Sequence, residues 1–229
     1  MNVLQYRQPL PNSTTSSSIS VVIDRPIGGA WKRALDIVVA ISALILLSPL
    51  FLLTALLVKF SDGGPVFYSH NRVGYGGKTF GCIKFRTMRV GVEKRFEEYL
   101  RLNPEAAAEW ENTQKLRFDP RVTFFGHALR KSSIDELPQL INILRGEMSV
   151  VGPRPVVADE LQRYGQHSFK YCAARPGLTG LWQVSGRNDT SYDERVELDV
   201  EYCTNWSFWS DLKIIMWTLP ALCSREGSY

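Results

Sequence analysis

The chain has 229 residues, 45% of them hydrophobic and 22% charged, with 17 Gly and 12 Pro, which is the composition of a folded globular protein. Lys and Arg total 27 against 23 Asp and Glu, a net charge of +4, which excludes a disordered polyelectrolyte and argues against a nucleic-acid binder. The four cysteines, Cys82, Cys172, Cys203 and Cys223, are far apart with no C-x-x-C. Neither a zinc site nor a disulfide framework is expected, and a reducing compartment fits.

Residues 1–30 read as a tail, because Asn12 to Ser18 is a polar low-complexity run with nothing to bury. The first apolar run begins too late, and is too long, for a signal peptide. That run, Ile37 to Val58, holds 22 residues and no charge; only Ser42, Ser48, Pro49 and Thr54 interrupt it. As a helix it would extend about 33 Å, enough to cross a bilayer. A buried core helix is the alternative, but such helices carry a polar stripe and this run has none.

Two features argue against a crossing. Ser48-Pro49 lies at its middle, where proline removes a backbone donor and bends the helix, and Ser48 can serve a freed carbonyl. Both flanks are basic: Arg7, Arg25, Lys32 and Arg33 against Asp24 before it, and Lys59, Arg72, Lys78, Lys84, Arg86, Arg89, Lys94 and Arg95 against Asp62 and Glu93 after it. The positive-inside rule places both flanks in the cytoplasm. A re-entrant helix-break-helix over residues 31–60 satisfies both observations, with Asp36 expected to pair with Lys32 and Arg33. Residues 61–229 would form the cytosolic part.

Val66–Ser69 and Thr79–Phe85 flank a Gly-rich turn and read as a β-hairpin. Helices are expected near 92–102, 104–115, 122–131, 135–144, 156–164, 192–203 and 208–222. The fold class is therefore α+β, mostly helical. Gly77-Lys78-Thr79 is not a P-loop: its first glycine position is Arg72, and a strand follows the Thr. Gly74-x-Gly76 lacks the third small residue of a dinucleotide fingerprint. No D-x-D is present.

Ser133 to Glu136 fits a capping box that opens a helix with an apolar stripe of Leu137, Leu140, Ile141 and Leu144. The cap does not require Asp135. A carboxylate in a first helical turn is stabilised by about 0.3–1 kcal/mol and stays ionised, which suits a nucleophile or a magnesium ligand. Arg154 stands between Pro153 and Pro155, on a loop stiff enough to present a guanidinium to phosphate; a rigid turn with a solvated Arg is the plain alternative. Arg175 to Asn188 combines glycines with Arg175 and Arg187, a loop able to wrap an anion or simply to lie on the surface. Lys84 to Arg89 is a basic strand end suited to headgroups or phosphate. The aromatic Trp206–Leu222 segment suits an interfacial helix as well as core packing.

In this order the motifs resemble the bacterial sugar transferases, the monotopic polyprenyl-phosphate phosphoglycosyl transferases. The resemblance rests on Lys32-Arg33, Asp36 and Ser48-Pro49; Lys84-Phe85-Arg86-Thr87-Met88; Arg130 with Asp135-Glu136-Leu137-Pro138-Gln139; Gly152-Pro153-Arg154-Pro155; and Arg175-Pro176-Gly177 with Gly186-Arg187-Asn188. It covers about residues 31–220. Arg25-Pro26-Ile27-Gly28-Gly29 and Gly227-Ser228-Tyr229 carry a narrower likeness to the undecaprenyl-phosphate galactose phosphotransferases of exopolysaccharide synthesis. No multi-span N-terminal region precedes the motifs, so a minimal-length form is expected.

The resemblance implies transfer of a sugar-1-phosphate from a UDP-sugar to undecaprenyl phosphate in the bacterial inner membrane, on its cytoplasmic face, with release of UMP. Asp135 would be the nucleophile and Glu136 its acidic partner. Mg²⁺ would sit at Asp135, and Lys84, Arg130, Arg154, Arg175 and Arg187 would bind phosphate or shape the site. The hydrophobic segment would be re-entrant, broken at Ser48-Pro49. The partners implied are donor, acceptor and membrane lipids, with no nucleic acid and a homodimer left open. Competing functions are a membrane-anchored scaffold without catalysis and a hydrolase built on the same aspartate.

Overall fold

The apolar run does not form one straight helix. In the computed structural model, which describes residues 4–5, 25–113, 116, 118–185 and 191–223, α1 (Gly29–Leu46) and α2 (Ser48–Asp62) meet at 66° across Leu47. Pro49 has no N–H to offer the Ile45 carbonyl, and the Ser48 hydroxyl donates to that carbonyl instead (2.8 Å). Among the described residues no single helix is long and apolar enough to cross a membrane; the bent pair is so only when taken together. Ile45, Leu46, Leu52 and Phe60 are 64% to 82% exposed, uncovered apolar surface of the kind that marks an interaction face.

The opposite face of α1 is buried at Lys32, Asp36 and Ala40, spaced one turn apart. The polar anchors thus stand ahead of the apolar run and point into the protein. Asp36 does not pair with Lys32 or Arg33 as expected, because each finds a partner elsewhere. Lys32 donates to Asp211 (2.6 Å) and Tyr202 (3.0 Å). Arg33 donates to the carbonyls of Ile143 (2.6 Å) and Leu144 (2.8 Å). Asp36 accepts from the Ser149 hydroxyl and the Val150 N–H, both at 2.8 Å.

β2 (Phe67–Val73) and β3 (Thr79–Phe85) form the expected antiparallel hairpin, in register from Phe67 opposite Phe85 to Val73 opposite Thr79. The short β1 (Leu4–Gln5) pairs parallel with β2. Thr79 opens a strand, as the exclusion of a P-loop requires. After β3 come α3 (Glu93–Leu102), α4 (Pro104–Thr113), α5 (Phe124–Lys131) and α6 (Gln139–Arg145), then β4 (Ser149–Val151), α7 (Ala158–Leu161) and α8 (Ser168–Cys172). The chain closes with β5 (Gly177–Thr179), α9 (Leu181–Val184), α10 (Tyr192–Thr204) and α11 (Phe208–Cys223).

The Gly/Pro-rich stretch after Arg175 is not a plain loop. It holds β5, parallel to β4, and α9. The two strands lie so close that a Cβ on Gly152 would sit 2.4 Å from the Arg175 carbonyl oxygen, so glycine there serves backbone contact. One core cluster joins α1, β3, α6, β4, α10 and α11 through Ala40, Cys82, Ile143, Val151, Tyr202 and Ile214. A second gathers α2, β3 and α5 around Phe85, whose ring lies 4.9 Å from Phe51 and 5.5 Å from Phe67. The bent helix pair is therefore seated on the same core that carries β3. α11 realises both readings of its sequence: Asp211 and Ile214 are buried, while Trp209, Met216 and Trp217 are exposed.

Candidate active site

β3, the segment that follows it, and the turn between α5 and α6 bring four expected residues together. Lys84 lies on β3, and Arg130 is in the last turn of α5. Asp135 and Glu136 sit in a single 3₁₀ turn, Ile134–Glu136. The expected capping box is absent. Ser133 takes a left-handed conformation (φ 56°) with no side-chain cap bond, and α6 starts only at Gln139, behind Pro138. A non-glycine residue there costs on the order of 1 kcal/mol, and it turns the two acids toward β3 rather than along a helix.

Asn142 fixes the distance between turn and strand. Its fully buried amide donates to the Gly81 carbonyl (2.8 Å) and to Glu147 (2.6 Å), and accepts from the Ile83 N–H (3.0 Å). α6 is thereby tied to β3 across both edges of one amide. Lys84 Nζ then donates to Glu136 Oε1 (2.6 Å) and lies 4.0 Å from Asp135 Oδ2. Arg130 Nε donates to Thr87 Oγ1 (2.9 Å), a residue present in the sequence motif to which no role had been given.

Asp135 is buried. Burial pushes its carboxyl up to about 6, and the Glu136 charge adds to this, while Lys84 and Arg130 pull the other way. The helix-terminus stabilisation expected from the sequence does not apply, since a three-residue 3₁₀ turn has replaced the helix start. Burial lowers the pKa of Lys84, but the Glu136 and Asp135 carboxylates outweigh it and hold it above the ordinary value. The result is one buried carboxylate poised near neutrality, one carboxylate held by lysine, and two cations beside them.

The other expected arginines lie elsewhere. The Arg154 N–H is held by Asp199 (3.2 Å) and its guanidinium lies 5.3 Å from the Trp182 ring, with Arg195 at 5.2 Å from the same ring. Asp199 accepts from Tyr164 (2.7 Å) and burial raises its pKa to about 7. The stiff loop expected from two prolines is thus also anchored at its backbone. Arg175 donates through Nε to the Gly146 carbonyl at the end of α6 (2.8 Å). Neither Arg154 nor Arg175 shares a hydrogen bond or ion pair with Asp135. Arg187 lies outside the described residues.

Among the described residues no three His, Cys, Asp or Glu side chains converge as a metal cage. Asp135, 4.0 Å from Lys84 rather than hydrogen-bonded to it, is the carboxylate that would hold a Mg²⁺.

The described residues form a mostly helical body with two small sheets, and its acidic pair lies beside Lys84 and Arg130. The family described as Bacterial sugar transferase matches residues 27–225, and the chain belongs to this family. It is a transferase. Over 205 residues it is 58% identical to the exopolysaccharide production protein ExoY of Rhizobium meliloti, covering 90% of this chain and 91% of that protein. It is 50% identical over 198 residues to the undecaprenyl-phosphate galactose phosphotransferase of Salmonella typhimurium, covering 86% of this chain and 41% of that longer protein. Identity is 42% over 206 residues to the UDP-glucose:undecaprenyl-phosphate glucose-1-phosphate transferase of Caulobacter vibrioides, covering 86% of this chain and 72% of that one.

Proposed function

We propose that the chain transfers a sugar-1-phosphate from UDP-galactose or UDP-glucose to undecaprenyl phosphate, releasing UMP, as the first membrane step of exopolysaccharide assembly. The relatives' names support both substrates. The observation that carries the mechanism is Asp135, a buried carboxylate poised near neutrality between Lys84 and Arg130. An Asp135 oxygen attacks the β-phosphorus of the donor, and the bond to the UMP oxygen breaks. An oxygen of undecaprenyl phosphate then attacks the same phosphorus and returns the carboxylate. Covalent catalysis lets one pocket serve a soluble donor and a lipid acceptor in turn.

Lys84 and Arg130 offset the phosphate charge, and Glu136 accepts the acceptor's proton. Mg²⁺ held by Asp135 would supply further charge neutralisation on the diphosphate. Asp135→Asn abolishes turnover, by more than about a thousandfold, and abolishes the phosphosugar–protein adduct. Radiolabelled phosphosugar on the mutant protein would remove Asp135 as nucleophile.

Residues 31–60 form a re-entrant membrane segment in this scheme, and residues 61–229 the catalytic domain on the cytoplasmic face of the bacterial inner membrane. The 66° bend, the basic flanks and the exposed apolar side chains support it. Cysteines placed at Ser20 and Lys78 both react with a membrane-impermeant reagent from the cytoplasmic side. Labelling from opposite sides means a true span.

A further inference from the structure

The helical hairpin α3–α4 takes no part in the chemistry above, yet one guanidinium fastens it to the site. Arg121 lies 3.7 Å from the Phe96 ring and 4.8 Å from the Trp110 ring, and those rings meet edge to face at 5.0 Å. The same guanidinium grips Asp119 at both oxygens (Nε to Oδ1 2.9 Å, Nη2 to Oδ2 2.6 Å), and the Arg121 N–H donates to Oδ1 as well (2.9 Å). Asp119 is buried. A cation between two aromatic faces, paired with a desolvated carboxylate, is held firmly.

From this clamp the backbone runs straight to Arg130. The Arg89 N–H donates to the Arg121 carbonyl and the Thr123 N–H to the Thr87 carbonyl, both at 2.9 Å. The Thr123 hydroxyl caps α5 by accepting from the Gly126 N–H (2.9 Å). A Cβ on Gly126 would lie 2.2 Å from the Thr87 carbonyl oxygen, so α5 rests directly on the residue whose hydroxyl accepts from Arg130. Arg130 lies within electrostatic reach of both Asp135 and Asp119.

We propose that Arg121, clamped by Phe96 and Trp110, is a positioning residue: it keeps Asp119 occupied, so that Arg130 stays with Asp135 and the donor phosphates. This rests on the assignment of Arg130 and Asp135 to the donor site. Without Arg121, Asp119 becomes a buried carboxylate in need of a cation, and Arg130 is the cation its charge already reaches. The hairpin thereby sets donor affinity from outside the site.

The test uses the full-length protein in detergent. Arg121→Gln raises KM for the UDP-sugar about tenfold with kcat changed less than about threefold. Adding Asp119→Asn, which removes the competitor, returns KM to within about twofold of wild type. The dissociation constant of UDP-glucose, measured by calorimetry in an Asp135→Asn background, moves in parallel with no turnover needed. Should Arg121→Gln not fold, Trp110→Ala with and without Asp119→Asn decides the matter, with Trp110→Phe retaining wild-type KM. An unchanged KM in the folded variant, or a raised KM that Asp119→Asn fails to restore, overturns the proposal. Adduct formation by Asp135→Asn would instead overturn the site assignment beneath it.

Discussion

Lys32 and Lys84 each meet two acidic or hydroxyl partners, and their surroundings differ in a way that separates support from chemistry. Lys32 is closed in: its side chain is 5% exposed and that of Asp211 is 0% exposed. Asp211 also accepts from Tyr202 (2.8 Å) and Trp206 (3.1 Å). Lys84 is open: its side chain is 31% exposed, that of Glu136 is 36%, and Asp135 sits 4.0 Å away without a direct hydrogen bond from it. The first cluster is satisfied at short range and sealed. The second leaves one buried carboxylate beside solvent, 4.0 Å from its lysine. A buried ion pair by itself is weak evidence of function; what distinguishes the second is its unspent capacity.

The largest effect expected from breaking this contrast is at the sealed cluster. Lys32→Met leaves Asp211 buried without its cation and costs about 3–5 kcal/mol of stability. Adding Asp211→Asn, whose single oxygen accepts from Trp206 while its amide donates to the Tyr202 hydroxyl, which turns to the Val151 carbonyl, recovers most of it. Lys84→Met costs less than about 1 kcal/mol, because half-open pairs contribute little. Chemical denaturation in detergent gives the three values; equal losses at the two lysines would dissolve the distinction.

Much of the fold is legible in the sequence, for a physical reason. The hairpin announces itself through β-rich runs around a Gly-rich turn, and the helix break through Ser48-Pro49, because local backbone chemistry dictates both. The Asp135 turn did not announce itself. Ser133 and Glu136 have the spacing of a capping box, but the Asn142 ties to β3 and the Lys84–Glu136 pair override the local preference. Those contacts span more than 50 positions in sequence, so no window along the chain contains them. Arg175 illustrates the same limit: its residue type suits an anion, and only the fold reveals the Gly146 carbonyl that its Nε meets. The role of Thr87 was hidden likewise, since its partner Arg130 lies 43 positions on. Lys32, Arg33 and Asp36 were singled out correctly as a group, yet paired with one another rather than with the core elements that α1 crosses.

The smallest expected effect is also the most discriminating, because it turns loss of function into gain of stability. The folded pKa of Asp135, about 6, lies above the ordinary aspartate value of 3.8. Between those values the folded state binds more protons than the unfolded state, so stability falls as pH rises through that window. Below about pH 3 the carboxyl is protonated in both states and the penalty is absent; above pH 7 it is fully present. Asp135→Asn mimics the protonated form at every pH. It should approach wild type in stability toward pH 3 and exceed it by about 1–2 kcal/mol at pH 8, less than the full shift implies because Lys84 loses a neighbouring charge. Glu136→Gln should show no such gain, since Glu136 is half-exposed and directly bonded to Lys84. Melting curves at pH 4.5, 6 and 8 for both variants check this. A stability difference for Asp135→Asn that does not grow with pH would mean that the carboxylate pays no penalty for its burial, and the contrast between a sealed cluster and a poised one would lose its energetic basis.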